Sequence, residues 1–452
     1  MGKDGDVTLP QGFRDAYKAF VAQGWNAAPF SAEVGGQGLP WCVSAALQEI
    51  WHGANLSFAL MPLLTQSAVH LLMHHGDDWQ RSNVLPKLVS GEWSGTMCMT
   101  EPQAGSDVGA CRTQAVPQPD GTYRIKGNKI FISCGEHDAS ENIIHMVLAR
   151  LPAAPEGSRG LSLFMVSKYL LDGEGDTGGR NDVRAVSLEH KMGMHASPTA
   201  VMAFGDNDGA IGTLVGKPNE GLKTMFTMMN AARLAVGLEG LGVAQYAFQL
   251  AAGYAGERVQ GRGLASASPG PVAIAQHGDV QRMLMYMESH VSGLRALSIY
   301  AGEQMDMATY HPDAAIRESA RQRVDLLTPV VKAHTTNMAF EIASTAMQVH
   351  GGLGYVEETG VAQLLRDVRV TMIYEGTNGI QALDLVHRKL PFYKETACAA
   401  LMGDMRQAAD DTALGKAFAE ALGHLQAATQ AMLHHVELTS SNTEGKAPSA
   451  VA

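Results

Sequence analysis

What most constrains this chain is the order of its hydrophobic periodicities. Apolar residues recur at helical spacing over Phe13–Trp25 and Val43–Met73, give way to short strand-like segments, then return in much longer helical runs. The middle segments are Thr122–Lys126, Lys129–Ser133, Ile144–Ala149, Leu161–Val166 and Ala200–Phe204, set between Gly, Pro and Asp clusters. The later runs are Leu222–Arg258, Val272–Met307, Ile316–Val349 and Asn378–Leu390, with Lys394–His435 reading as further helix. Pro10, Pro29, Pro40 and Pro62 punctuate the first zone, Arg262–Pro271 reads as a flexible connection, and Thr439–Ala452 as a polar, frayed tail. Helices and strands are segregated rather than alternating, so an α+β fold is expected, not a doubly wound sheet. The expected domains are an N-terminal helical domain (1–92), a central antiparallel β-domain (93–210), a C-terminal helical bundle (211–393), and a helical extension with a polar tail (394–452).

Composition removes several classes. Of the 452 residues 46% are hydrophobic and 17% charged, enough apolar material for a core and too much for a disordered chain. The net charge of −11, without a Lys/Arg cluster, argues against a nucleic-acid partner. The five cysteines, Cys42, Cys98, Cys111, Cys134 and Cys398, form no CxxC pair, and their odd number suits a reducing compartment. The start, MGKDGDVTLPQGF, has no apolar signal core, and no apolar run approaches the ~20 residues a bilayer demands. The expectation is a cytoplasmic protein without membrane insertion. A dinucleotide G-x-G-x-x-G between strand and helix is absent, as is a P-loop.

Four stretches could carry chemistry. Met97–Gly109, MCMTEPQAGSDVG, is rich in small residues that let a ligand approach the backbone; it also reads as an ordinary turn. Ile125–Gly135, IKGNKIFISCG, is an alternating strand and equally a plain hairpin arm. Gln348–Tyr355, QVHGGLGY, ends a helical pattern and reads as a glycine cap. In Ile373–Gln381, IYEGTNGIQ, Thr377 or Asn378 is an N-cap candidate, which sets Glu375 beside the positive end of a helix.

Together, in this order and at these separations, the four stretches resemble the acyl-CoA dehydrogenase family over roughly Phe13 to Leu390. LEHKMGMHASPTAVMAFGD (Leu188–Asp206) and MMNAARL (Met228–Leu234) match family patterns too, and GEHDASENIIHMVLAR (Gly135–Arg150) looks most like its large bacterial branch. The resemblance implies FAD-dependent oxidation of the Cα–Cβ bond of an acyl-CoA thioester to the trans-2-enoyl-CoA, an enzyme of fatty acid metabolism. It makes Glu375 the base that takes the α-proton, with flavin N5 accepting the β-hydride. An ordinary carboxylate is far too weak for that, so burial must raise its basicity.

By the same resemblance, Arg233 and Asn230 lie near the base, and Ser106 and Gly376 contact substrate. Met99, Thr100, Ser106, Phe131, Ile132 and Ser133 line the flavin. Arg258, His277, Gln348, Gly351 and Gly352 complete the flavin site of a neighbouring subunit, with Thr377, Asn378 and Gly379 following the base on its own chain. A homodimer or homotetramer and an electron-transfer flavoprotein acceptor are implied. Gly261 stands where the family commonly has an aromatic residue, and Gly379 where it often has Gln. The chain is expected to begin inside the family's N-terminal helical domain and to end before the large branch's extra C-terminal region. An acyl-CoA oxidase, or a flavin-binding protein without turnover, are the alternatives. No metal is expected: His70, His74 and His75 read as helix-surface histidines, and the calcium-like DGEGD at Asp172 lacks the loop's later glycine and glutamate.

Overall fold

A computed structural model describes residues 1–2, 4–263 and 270–441. Most of the expected flexible connection and nearly all of the polar tail therefore lie outside the described residues.

The first zone folds as α1 (Phe13–Ala22), α2 (Trp41–Ala54), α3 (Leu56–His75), α4 (Asp78–Asn83) and α5 (Leu85–Ser90). The single run expected over Val43–Met73 is two helices. Asn55 breaks it, its extended backbone ending α2 while its side chain caps α3 by accepting from the Phe58 N–H at 3.0 Å. Pro62, expected as punctuation, sits inside α3. Packing on nearly every side keeps the helix continuous where propensity alone would break it. Contrary to the sequence reading, α3 is long and apolar enough to cross a membrane, alone among the described helices, but it is mostly buried within the fold.

Ten strands follow: β1 (Trp93–Cys98), β2 (Gln114–Pro117), β3 (Tyr123–Ser133), β4 (Asn142–Arg150), β5 (Leu161–Ser167), β6 (Tyr169–Leu171), β7 (Thr177–Arg180), β8 (Val183–Leu188), β9 (Thr199–Phe204) and β10 (Ala210–Val215). The main sheet runs β1-β4-β5-β10-β3-β9-β8, with β2 beside β3, and β6 and β7 form a separate ribbon. The sheet is mostly antiparallel, as expected, but β1 pairs with β4 in parallel. The two strands expected at Thr122–Lys126 and Lys129–Ser133 are one strand, β3, interrupted by a bulge between Lys129 and Ile132.

The helical zone comprises α6 (Gly221–Glu257), α7 (Gly278–Tyr310), α8 (Ala314–His350), α9 (Val361–Val368) and α10 (Asn378–Asp384). A π-turn, Leu385–Lys389, leads into α11 (Leu390–Tyr393), followed by α12 (Ala397–Ala408) and α13 (Ala413–Ser441). The run expected from Val272 becomes α-helical only at Gly278, after Ala273 bridges to Val259 and a short 3-10 turn, Ile274–Gln276, intervenes. Helices α6 and α8 approach closely over glycine: a Cβ on Gly237 would lie 2.6 Å from Val331 Cγ1. This contact aligns the two helices that carry the candidate site's buried charges. The main core joins α3, α6, α7 and α8 to the inner face of β1, β4 and β5.

Candidate active site

The centre of the site is the turn between α9 and α10. Thr377 caps α10, its Oγ1 accepting from the Ile380 N–H at 3.2 Å. Just before it, Glu375 and Gly376 both adopt left-handed backbone, φ 54° and 80°. Gly376 does this freely, whereas Glu375 is strained and must be held. Arg233 on α6 donates from Nε to the Glu375 carbonyl at 3.1 Å, and Gln381 donates to the same carbonyl and to that of Gly376. Lys332 on α8 donates from Nζ to the Gly376 carbonyl at 2.8 Å and to Asn378 Oδ1 at 2.9 Å. Asn378 donates in turn to Ala333 O and Asn337 Oδ1.

The carboxyl held by this turn is unusual. Glu375 as a residue is half-buried, yet its Oε2 is enclosed and has no hydrogen-bond partner. Burial raises its pKa above the ordinary carboxylate value, opposed by the charges of Arg233 and Lys332. Its peptide N–H has no acceptor among the described residues. Arg233, itself buried, faces Asp384 at 3.8 Å and stacks over Phe226. Asn230 lies one turn earlier on α6, half-buried.

Sequence reasoning missed two buried ionisable residues here. Glu239 on α6 accepts the Tyr374 O–H, and Lys332 is fully enclosed. Each is a lone ionisable residue inside an apolar stretch, LAVGLEGLGV and TPVVKAH, a signal that was present and unused. It missed Glu101 and Lys129 as well. This buried pair at 2.8 Å braces the Met97–Gly109 loop. Glu101 also accepts from the Arg112 and Thr113 amides and the Thr113 hydroxyl, and Lys129 reaches the Met99 carbonyl. Burial works against the Glu101 charge, but Lys129 and these donors overcome it and hold the carboxyl at about 2.

The other candidates fall into two groups. Met99 and Thr100 follow β1, half-buried, with the Thr100 carbonyl bonded to the Ile130 N–H, so this loop and the β3 bulge are neighbours. At the bulge Phe131 has φ 59° and is 60% exposed. Ile132 turns into the β-domain core, leaving only its backbone available, and Ser133 pairs with Thr199. Ser106 is exposed. The second group sits where α6 and α8 end. Arg258 reaches the Gln260 side chain, and His277 donates to the Gln260 carbonyl at 2.7 Å. Gln348, Gly351 and Gly352 are exposed nearby, where Tyr254 of α6 stacks on His350 of α8. Arg258 lies 25 residues beyond Arg233 (258 − 233) on one helix, ~37 Å along its axis. One chain therefore does not bring Arg258 to Glu375. Gly379, in the first turn of α10, is exposed.

The histidine reading needs correction. His70 is not a surface residue: its ring packs against Phe30 and Trp41 at 5.3 and 4.9 Å, and burial pushes its pKa down to about 4. A cavity of about 40 Å³ beside α6, bounded by Leu63, Gln66, His70, Leu238 and Val331, has room for water rather than an acyl chain.

Three family models cover most of the chain: the acyl-CoA dehydrogenase N-terminal domain matches residues 5–92, the middle domain 96–207 and the C-terminal domain 219–390. The chain belongs to the acyl-CoA dehydrogenase family. Among relatives of this acyl-CoA dehydrogenase family member, the 3-methylmercaptopropionyl-CoA dehydrogenase of Ruegeria pomeroyi is 51% identical over 388 residues, 86% of this chain and 65% of that one. The large bacterial branch expected from the sequence is thus the one found. The broad-specificity linear acyl-CoA dehydrogenase FadE5 of Mycobacterium tuberculosis is 36% identical over 91% of this chain and 68% of its own. The chain accordingly spans about two thirds of the length of these relatives. The solved acyl-CoA dehydrogenase of Bacillus anthracis, complexed with FAD, shares the fold with a TM-score of 0.72, at 23% identity over 89% of this chain and 66% of that one.

Proposed function

We propose that this family member is a flavin-dependent oxidoreductase, an acyl-CoA dehydrogenase that forms trans-2-enoyl-CoA with Glu375 as the base. The observation that carries this reading is the Glu375 carboxyl: enclosed, unpartnered at Oε2, and held on a strained turn by Arg233, Lys332 and Gln381. Burial destabilises its charged form, so it gains on accepting a proton from the substrate α-carbon. The free Glu375 peptide N–H is suited to the thioester oxygen, where negative charge develops as the proton leaves. Arg233 and Lys332 balance the Glu375 charge before the transfer.

The residues present fit FAD. Phe131, a bulky side chain kept out of the core on left-handed backbone, is suited to cover a flat ring, with Met99, Thr100 and Ser133 around it. The chemistry that bound FAD supplies is acceptance of hydride from the substrate β-carbon. The ~37 Å between Arg233 and Arg258 supports a site completed by a second copy of the chain, with Arg258, His277 and Gln348–Gly352 serving the neighbour's flavin. Leu353, Tyr355 and Val356 are exposed beside those glycines, as an interface requires. A protein acceptor, electron-transfer flavoprotein, completes the reading, as does a cytoplasmic location, which five unpaired cysteines support. The relative at 51% identity makes a short, thioether-bearing acyl group the first substrate to test.

The test is anaerobic titration of the flavin-loaded protein with acyl-CoAs of graded length and with a thioether acyl-CoA. Loss of yellow flavin absorbance is expected with at least one. No bleaching with any of them, at full flavin content, refutes the function.

A further inference from the structure

The mechanism above leaves one buried carboxyl near the turn unused. Glu239 lies midway along α6, 0% exposed. Its Oε2 accepts the Tyr374 O–H and its Oε1 has no partner. No cation among the described residues comes within ion-pair distance of it. Tyr374 is the residue before Glu375 and packs against the main core. The other anchors of the turn grip the carbonyls of Glu375 and Gly376, from the base onward. Tyr374 is therefore the side chain next to the base that ties the backbone entering the turn to the core, and Glu239 is the only hydrogen-bond partner of its hydroxyl among the described residues.

Resting on the reading of Glu375 as the base, we propose that Glu239 is a positioning residue for it: a neutral, proton-bearing carboxyl that, through Tyr374, fixes the backbone leading into the Glu375 turn. Neutrality follows from what faces it. Arg233, on the same helix, is engaged by the Glu375 carbonyl and Asp384. Lys332, from α8, spends its donors on Gly376 and Asn378. The turn presents Tyr374 and Glu375 itself. A bare carboxylate without an ion pair is strongly disfavoured in apolar surroundings, so the group keeps its proton instead. Burial raises its pKa most and the Glu375 charge raises it further, while the Tyr374 bond and Lys332 pull it down, leaving it at about 8. A neutral group behind the base also spares Glu375 a second negative charge at close quarters.

Glutamine tests this, since it keeps an acceptor for Tyr374 but cannot titrate. Flavin-loaded wild type, Glu239→Gln, Glu239→Leu and Tyr374→Phe proteins are compared by infrared difference spectroscopy and rapid mixing with acyl-CoA. At pH 7 the wild type is expected to show a protonated-carboxyl stretch that fades as pH passes about 8 and is missing from Glu239→Gln. Glu239→Leu and Tyr374→Phe are expected to bleach roughly tenfold more slowly, at unchanged flavin content and unchanged half-saturating acyl-CoA. Glu239→Gln, which keeps an acceptor for the Tyr374 hydroxyl, should restore most of the rate. An infrared band that survives in Glu239→Gln overturns the proposal, as do wild-type rates in both the Leu and the Phe variants. If even the wild type fails to bleach, the fault lies with the base assignment, and the infrared comparison still decides whether Glu239 holds a proton.

Discussion

Gly376→Ala probes the strained turn most directly. Gly376 has φ 80°, and an added Cβ would lie 2.8 Å from Gln381 Nε2, 3.2 Å from Arg233 Nη2 and 3.5 Å from Ile380 Cγ2. Left-handed backbone costs an alanine ~1–2 kcal/mol. The Gln381 amide must also move, giving up bonds at 3.3 and 3.2 Å to the Glu375 and Gly376 carbonyls, each worth about 1 kcal/mol. The expected loss of stability is roughly 3 kcal/mol, read as a lower midpoint with unchanged slope in urea. The rate should suffer as well, because the displaced side chains hold the base. A shift on the order of 1 Å at a reacting group costs about a hundredfold. Rapid mixing of the flavin-loaded variant with acyl-CoA measures it. Gly379→Ala is the control: its Cβ would meet only Thr377 Oγ1 at 3.7 Å, and its backbone is not left-handed, so stability should hold or improve. A Gly376→Ala protein as stable and as fast as wild type would refute the account of the turn.

Glu375→Gln should keep its flavin and lose bleaching by at least about a hundredfold. It should also be more stable than wild type at neutral pH. A carboxyl whose folded pKa is raised is favourable below its ordinary value and costs stability once pH rises through the folded one. The variant's advantage must therefore vanish in acid; an advantage that persists at pH 4 sinks the argument. Lys332 gives the mirror case, since burial lowers its pKa from 10.5 to about 8. Its cost is present below pH 8 and relieved toward 10.5, so wild type should gain on the order of 3 kcal/mol against Lys332→Met across that window. A pH-independent difference between the two would refute this. Arg258→Ala, at an exposed helix end, should leave the unfolding midpoint of the flavin-free protein unchanged while lowering the flavin-to-protein ratio after gel filtration. Full flavin retention would remove Arg258 from the site.

How much was legible depends on which residues carried a local signal. The run Leu222–Arg258 is α6 to within a residue at each end, because a long proline-free run dense in Ala, Leu and Met is hard to mistake. β4, β5 and β9 were legible for their β-branched and apolar density. β1, WSGTMC, was not: every residue is buried, so no alternation marks it, and glycine lowers its propensity. The Asn55 break was hidden because α2 and α3 are both apolar on either side of it. Thr377 announced a helix start, and that cap located Glu375 correctly relative to α10.

The sequence by itself determined the segregated helix–strand–helix order, the capped turn and the identity of the carboxyl on it. These rest on spacing and side-chain type within a few residues, which a linear reading can see. The tertiary structure alone decided what surrounds that carboxyl. Glu239, Lys332 and Arg233 reach the turn from more than 40 residues away or farther in the chain, carried there by the close packing of α6 on α8. Burial and opposing charge set the proton affinity of Glu375, and both are properties of neighbours in space. The same physics separates Arg258 from the base: along one helix, 25 residues of sequence become ~37 Å.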